Sequence, residues 1–335
     1  MKNNPFLSDI FKTIWLKHFN YGKGDFTFNF ITNLTFVKSR FLPIFCNTGK
    51  NNTKSVSYNF SDIKTKDYKG RVFIIFDIPS HLNTIITPEK HSKIGIHKIT
   101  QYPGFRINLK GYSNLNDYKL DVISKKSRYK FKSYAKKIES SVNIYHKVYY
   151  ENIDDETYEF VFGYFKTLLR KRFFNKKTNN NNLSPQEWAF YKEVTLPMIR
   201  NKAAALFVTY DTDKPIAINL VNFSKTTMYD VIRVFDIDYA KYRLGVVGIM
   251  KQIEWCIENN LEALDFSKGY FEYKKRWSNQ PYWFEYHIYY DKKSLIPCLI
   301  ALAYKQFYTF KLFLRRHDLI NFVHKLLFFR NKKNM

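Results

Sequence analysis

The sequence predicts a mixed α/β (α+β) fold in which mainly antiparallel sheets are flanked by helices. Its first part contains β-branched and aromatic runs, which favour strands. Three later runs, Ala203–Tyr210, Pro215–Phe223 and Thr227–Asp236, are separated by short turns, as in an antiparallel meander. Segments with apolar residues at helical spacing lie between and after the strands. With 335 residues, 45% of them hydrophobic, the chain is long enough for two domains.

In the N-terminal part, two predicted strand regions enclose a polar loop. The run Asp25–Val37 alternates and is rich in aromatic and β-branched residues, and Arg71–Ser80 is a short apolar run ended by proline. Both patterns are typical of strands, and the second favours a buried one. Between them, Asn47–Asn59 consists mainly of small polar residues and lysines, so we expect a loop there.

The middle of the chain begins with a predicted basic helix. Four residues recur at i, i+3, i+4 and i+7 and therefore share one helical face: Phe131, Tyr134, Ala135 and Ile138. The other faces and the approach carry basic residues with no acidic residue among them: Lys125, Lys126, Arg128, Lys130, Lys132, Lys136 and Lys137.

A strand and two further helices should follow. The strand is predicted over residues 141–152 and the first helix over Asp154–Arg172. The second helix should open with Ser184 as N-cap and Pro185 at its first position.

After the meander, a turn containing glycines leads into another helix. Apolar residues at helical spacing predict that helix: Val246, Ile249, Met250, Ile253 and Ile257. A short strand "EALDF", the stretch "DFSKGYFEYKKRW" and an aromatic strand, Pro281–Tyr290, come next. This order places a helix N-terminus, which attracts phosphate, beside the end of the third meander strand. Arg243, Gly245 and Gly248 would allow a ligand to approach the backbone there.

Composition restricts the partners and the compartment. The formal charge of +26 would attract nucleic acid, an anionic membrane surface or a phosphate-rich cofactor, although an AT-rich genome alone would also enrich lysine. Three widely spaced cysteines, no metal-ligand pattern, no signal peptide and no bilayer-length apolar run predict a cytoplasmic protein without a metal site.

Several stretches together resemble the GNAT acyltransferase superfamily, and within it the CelD/BcsL-type branch found in polysaccharide and cell-envelope contexts. They are "NPFLSDIFKTIW", "SKKSRYKFKSYAKKIE", "AAALFVTYDTDKPIAINL", "VFDIDYAKYRLG" and "DFSKGYFEYKKRW". The resemblance implies two tandem GNAT-like halves, as in Fem-type aminoacyl transferases. We expect a degenerate half over 1–120, a half with the donor site over 121–292, and a basic amphipathic helical tail over 293–335.

The resemblance also implies the site residues. The acyl-CoA pyrophosphate would bind the turn Arg243, Leu244, Gly245, Val246, Val247 and Gly248. Lys274 would face a phosphate or the developing oxyanion, Tyr273 would exchange a proton, and Asp236 would take the proton of the acceptor amine. Arg128, Arg233, Asp265 and Trp277 would contact substrate or donor. Capping, core packing and solvated charge are the alternative roles for these residues.

The resulting prediction is an N-acyltransferase that moves an acyl group, acetyl in the simplest case, from acyl-CoA to an amino group. The acceptor would be a small-molecule or lipid-linked sugar, or another cell-envelope precursor. Two alternatives remain: a Fem-like transferase that uses aminoacyl-tRNA, and a non-catalytic membrane-associated module. From Ile296 onward, basic residues are interleaved with large apolar ones at helical spacing, as in helices that make peripheral contact with an anionic membrane at its inner face. The alternative is that these helices pack on the second half of the chain and their charges face water.

Overall fold

The computed structural model describes residues 4–21, 23–60, 65–82 and 93–317. The helices in these ranges are α1 Asp9–Phe19, α2 Leu115–Val122, α3 Lys125–Ser141, α4 Asp155–Asn175, α5 Pro185–Arg200, α6 Leu244–Glu258, α7 Glu272–Trp277 and α8 Leu295–Arg316. The strands are β1 Phe26–Phe28, β2 Ile31–Lys38, β3 Ile44–Asn47, β4 Asn59–Phe60, β5 Val72–Pro79, β6 Ile94–Asn108, β7 Ile144–Tyr150, β8 Ala204–Asp211, β9 Lys214–Phe223, β10 Thr227–Phe235, β11 Ala263–Lys268 and β12 Gln280–Asp291.

These elements form two compact units. The first unit takes the chain up to Gly104 and again from Tyr282, and the second takes Phe105–Pro281. Mixed, mainly antiparallel strand pairing flanked by helices confirms the predicted fold class. The units divide the chain elsewhere than the predicted boundaries, because β12 pairs with β5 and so returns the chain to the first unit.

In the first unit the strand order is β1-β2-β3-β5-β12-β6, and β4 pairs with β2. The pairing of β3 with β5 is parallel, whereas β5 and β12 are antiparallel. One hydrophobic cluster joins these strands to α8 through Phe76, Tyr286 and Tyr308. A second cluster contains Tyr58 and Phe73. Each cluster draws on β5, which explains why that strand is buried along its whole length.

The polar loop predicted between β3 and β5 is present, but its middle is buried. Asn52 accepts a hydrogen bond from the indole Nε1 of Trp15 at 3.0 Å, and Thr53 donates to the Asp77 carboxylate at 2.9 Å. Buried polar groups need such partners, because an unpaired one costs about 1–3 kcal/mol. The loop is therefore part of the interior of the first unit.

In the second unit the strand order is β11-β10-β9-β8-β7. The predicted meander is confirmed as β8, β9 and β10. The helices α2, α3 and α6 share a hydrophobic cluster with Ala205 and Phe207 of β8. The alternate residues of β8 are also buried, and α5 and α4 contact β8 and β10. Because neighbouring side chains of a strand point to opposite faces, both faces of this sheet are covered.

Two features of the C-terminal part are clear. The stretch after β11 turns at Gly269, which has φ +103°, and the residues that follow form the short helix α7. The helical tail is confirmed as α8, and the predicted continuation beyond His317 lies outside the described residues. Among the described helices, none is both long enough and apolar enough to cross a bilayer.

Candidate active site

The seam between β10 and β11 opens after a short parallel ladder. The ladder joins Thr227–Tyr229 to Ala263–Asp265, whereas β10 continues to Phe235 and β11 to Lys268. A 3₁₀ turn over Ile237–Tyr242 follows β10 and leads into α6. The second unit thus places a helix N-terminus directly after the strand that borders the opening.

The predicted donor turn forms this N-terminus. Arg243 has the left-handed φ of +57°, which turns the chain from the 3₁₀ segment into α6. No side chain caps the helix, and its first turn has no acidic residue. Arg243 is exposed, with its guanidinium 6.0 Å from the ring centre of Tyr134. A helix start of this kind, with a positive dipole end and an exposed arginine, suits an anionic group.

A buried polar cluster lies between α6 and the sheet. Its members are Asp230 and Arg233 of β10 and Gln252 of α6. Residues three apart on a regular strand face opposite sides, but a β-bulge after Asp230 shifts the register and brings its carboxylate to Arg233. The Arg233 Nε donates to Asp230 Oδ2 at 3.0 Å, and an Nη donates to Gln252 Oε1.

Part of this cluster's hydrogen-bonding capacity is unused within the described residues. Asp230 Oδ1, Arg233 Nη1 and Gln252 Nε2 are buried, and each lacks a hydrogen-bond partner there. A Cβ built on Gly248 would lie 3.6 Å from Arg233 Nη1. Unpaired buried polar groups are costly. A ligand or water molecules that offer a donor to Asp230 Oδ1 and acceptors to Arg233 Nη1 and Gln252 Nε2 would therefore stabilise this cluster.

Lys274 of α7 is buried close to the same charges. Its side chain is 5% exposed, and Nζ donates to the carbonyl oxygens of Lys268 at 2.9 Å and Ser267 at 3.4 Å. Burial lowers the pKa of Lys274 to about 8, although Asp230 and Asp265 oppose the shift. A lysine side chain with this pKa is a neutral amine in part of the molecules near physiological pH, and this amine can accept a proton.

Tyr273 and Asp265 flank Lys274 in different ways. Burial, followed by the charge of Asp230, raises the pKa of Tyr273 to about 12, so its hydroxyl keeps its proton at neutral pH. Asp265 is buried on β11 and accepts the backbone N–H of Ser267 at 2.7 Å. The hydroxyl of Tyr273 can therefore donate a proton, whereas Asp265 supports the backbone of β11 at Ser267, where φ is +57°.

Asp236 lies at the far end of β10 and is ion-paired. Lys171 Nζ is 2.5 Å from Oδ1 and Lys214 Nζ is 3.3 Å from Oδ2, and the N–H of Asp238 donates to Oδ1 at 3.2 Å. Burial raises the pKa of this carboxyl, but the hydrogen bonds from Lys171 and Asp238 outweigh it, so the net pKa is lowered. A carboxylate held in this way is a weak base and caps the 3₁₀ turn before α6.

Arg128 and Trp277 make structural contacts. Arg128 Nη1 donates to the carbonyl oxygens of Lys119, Leu120 and Ile123 at the end of α2. The residue also lines a groove of about 730 Å³ between α2, α3 and α6. Trp277 is 1% exposed and stacks on Phe131 with ring centres 4.8 Å apart. The substrate contacts predicted for these two residues stay predictions.

Under α6, a second cavity of about 380 Å³ reaches Gly248 and Asn219. His146 of β7 lines it and hydrogen-bonds Thr209 through Nδ1 at 2.9 Å. Burial lowers the pKa of His146 to about 4, so the imidazole is neutral at physiological pH. Across the described residues, no cluster of three or more His, Cys, Asp or Glu is placed to hold a metal ion.

The structure thus brings Arg233, Tyr273, Lys274 and Asp265 into one region of the second unit, together with the unpredicted Asp230 and Gln252. It places Asp236 with Lys171, and Arg128 and Trp277 in packing roles. One sequence signal could have found Asp230: an acid followed three residues later by an arginine inside an otherwise apolar strand. Gln252 and His146 have no comparable signal.

Comparison with known proteins agrees with this geometry. Residues 125–275, from α3 into α7, match the sequence profile of a family described as "Acetyltransferase (GNAT) domain". This match supports an enzyme of the GNAT acyltransferase type. No curated protein matches the chain.

Two solved structures are similar in fold. A conserved protein of unknown function from Bacteroides thetaiotaomicron VPI-5482 is 10% identical, with 86% of this chain and 93% of that chain covered and a TM-score of 0.51. FemX is also 10% identical, with 75% of this chain and 83% of that chain covered and a TM-score of 0.51. At such identities the similarity concerns the fold alone.

Proposed function

We propose that the second unit is an N-acyltransferase that moves an acyl group, acetyl in the simplest case, from acyl-CoA to an amino group. One observation carries the proposal: the opening between β10 and β11 lies beside the uncapped N-terminus of α6, and the buried Asp230–Arg233–Gln252 cluster and Lys274 lie in the same region. An anion site and a set of proton-transfer groups are what a CoA-dependent acyl transfer requires.

For the donor, the pyrophosphate would bind the first N–H groups of α6 between Leu244 and Val247. The exposed guanidinium of Arg243 would add a mobile positive charge at the same place. The pantetheine arm would then follow the edge of β10 where that strand has separated from β11. This path would bring the thioester towards Arg233 and Lys274.

For the reaction, the acceptor amine would attack the thioester carbonyl directly. A C–N bond forms, the C–S bond breaks, and the amine must lose a proton. The neutral form of Lys274 can accept that proton, and the protonated Tyr273 can donate to the departing sulfur. Arg233 would stabilise the negative charge that develops on the carbonyl oxygen.

For the acceptor, the CelD/BcsL-type resemblance favours an amino group on a sugar or a cell-envelope precursor, free or lipid-linked. The runner-up uses aminoacyl-tRNA as donor, as the Fem-type resemblance implies. One observation favours it: the lysines of α3 are exposed and form a basic surface that could contact a phosphate backbone. They are Lys125, Lys126, Lys130, Lys132, Lys136 and Lys137.

A thermal-shift and calorimetry experiment on the full chain tests the proposal. Acetyl-CoA and CoA should raise the melting temperature, and bulk tRNA at the same ionic strength should not. Stabilisation by tRNA alone would replace the donor with aminoacyl-tRNA. If none of the three ligands raised the melting temperature, the non-catalytic module would be the remaining interpretation.

A further inference from the structure

The helix α8 has two contrasting apolar faces. One face packs in the first unit through Pro297, Ala301 and Tyr308, which are buried. The other face carries large apolar side chains that are between 48% and 74% exposed: Leu295, Ile296, Leu299, Leu302, Phe307, Phe310 and Phe313. Single exposed apolar residues are ordinary, but a contiguous row on one helix usually marks an interaction surface.

Helical geometry shows that these residues form one stripe. At about 100° per residue, the seven exposed side chains fall within a sector of roughly 140°. The buried residues lie on the opposite side of the same helix. From Leu295 to Phe313 the stripe is about 27 Å long, at about 1.5 Å per residue. The stripe is therefore not a by-product of packing, because α8 already has its contacts to the core on its other side.

The charges around the stripe are all of one sign. Residues Leu295–Arg316 contain no Asp or Glu. Lys305 and Arg316 project beside one edge of the stripe and Lys311 beside the other, as the same helical angles place them. Arg315 is used within the first unit, where it donates to the carbonyl of Gln101 at 2.6 Å and lies over the ring of Tyr102.

We propose that this exposed face of α8 docks the protein on an anionic membrane surface. A stripe of Leu, Ile and Phe bordered by lysine and arginine fits the boundary between acyl chains and acidic headgroups. A second copy of the chain fits less well, since it would bring the same basic borders and the same formal charge of +26 to the contact. The proposal concerns the first unit and does not depend on the acyl-transfer chemistry of the second.

Flotation of the full chain with lipid vesicles tests the docking. Wild-type protein should bind vesicles of phosphatidylglycerol and phosphatidylcholine at low salt, bind them less at high salt, and bind pure phosphatidylcholine weakly. The variant Leu299→Ser/Phe310→Ser should lose at least tenfold in partitioning. Lys305→Glu/Lys311→Glu should lose binding to the acidic vesicles specifically.

Point variants are needed here because removal of α8 would also remove the core contacts of Ala301 and Tyr308. A matched control is Phe41→Ser, which removes a phenylalanine that is 85% exposed elsewhere in the first unit and should bind like the wild type, whereas the single Phe310→Ser should bind less. Light scattering without lipid should show the same mass for wild type and variants. Unchanged flotation of Leu299→Ser/Phe310→Ser would overturn the proposal. The proposal would also be overturned if the wild type were a dimer that does not bind vesicles and if the Leu299→Ser/Phe310→Ser variant were a monomer.

Discussion

The buried ammonium of Lys274 leads to a quantitative prediction about stability and pH. The folded chain lowers its pKa from 10.5 to about 8, mainly by burial. The unfolded chain therefore holds a proton that the folded chain has released at pH values between these two. Stability that depends on Lys274 must then rise with pH in this window, and the cost of the buried charge is fully present below about pH 8.

The size of the effect follows from the two pKa values. Between pH 7 and pH 9.5, the wild type should gain about 2 kcal/mol in the free energy of unfolding relative to Lys274→Met, which has no titrating group at that position. Methionine has a similar length and keeps the position apolar. Its loss of hydrogen bonds to the carbonyl oxygens of Lys268 and Ser267 is independent of pH, so it cancels in the comparison.

Urea unfolding at a series of pH values, followed by tryptophan fluorescence, measures the difference. Lys275→Met is the matched control, because Lys275 is the next residue of α7 and is exposed. Its curve should run parallel to that of the wild type. Parallel curves for Lys274→Met as well would refute the buried, pKa-shifted ammonium, and with it the proton acceptor in the proposed reaction.

Three further predictions concern other parts of the second unit. Gly245→Asp should weaken CoA binding tenfold or more in calorimetry, about 1.4 kcal/mol, because it adds a carboxylate at the start of α6. Gly245→Ala should bind normally, since its Cβ would only reach ordinary contact with Phe235 at 3.6 Å; equal affinities for the two variants would remove the donor site from this turn. Because Asp236 is ion-paired with Lys171 and caps the 3₁₀ turn, Asp236→Asn should lower the Tm and leave kcat nearly normal, and Lys171→Met should behave alike; a fall in kcat of about 10²-fold would show instead that the carboxylate acts in the transition state. Arg128→Met should reduce the free energy of unfolding by about 1–2 kcal/mol, since the carbonyl oxygens of Lys119, Leu120 and Ile123 at the end of α2 each lose a hydrogen bond from its guanidinium; a loss no greater than that of the exposed Lys130→Met would contradict this capping role.

The fold could be predicted from the sequence where the patterns are local and strong. The meander of β8, β9 and β10, the helix α6 and the capped start of α5 at Ser184 all follow from alternation, helical spacing or capping chemistry. The buried loop after β3 could not be predicted in the same way. Its polar residues are satisfied by distant partners such as Trp15 and Asp77, and composition does not show such partners.

The candidate site was predictable only in part, for a similar reason. The motif around Lys274 identified the region, yet Asp230 joins it because a bulge changes which residues share a face of β10. Arg128 belongs to a conspicuous basic run, but its guanidinium closes the preceding helix α2. Sequence shows which charges are present. It does not show which of them already have a partner inside the protein.

The short ladder between β10 and β11 implies a trade-off between thermal stability and activity. Only three residue pairs connect these strands, so the sheet of the second unit gives up backbone pairing between β10 and β11. A sequence that closed this gap would gain hydrogen bonds and lose the space in which a donor could lie. Selection for heat resistance alone should therefore tend to close the gap and produce a robust, inert protein. Variant libraries of this enzyme that are screened for thermal stability therefore need a second screen for ligand binding, so that activity is not lost.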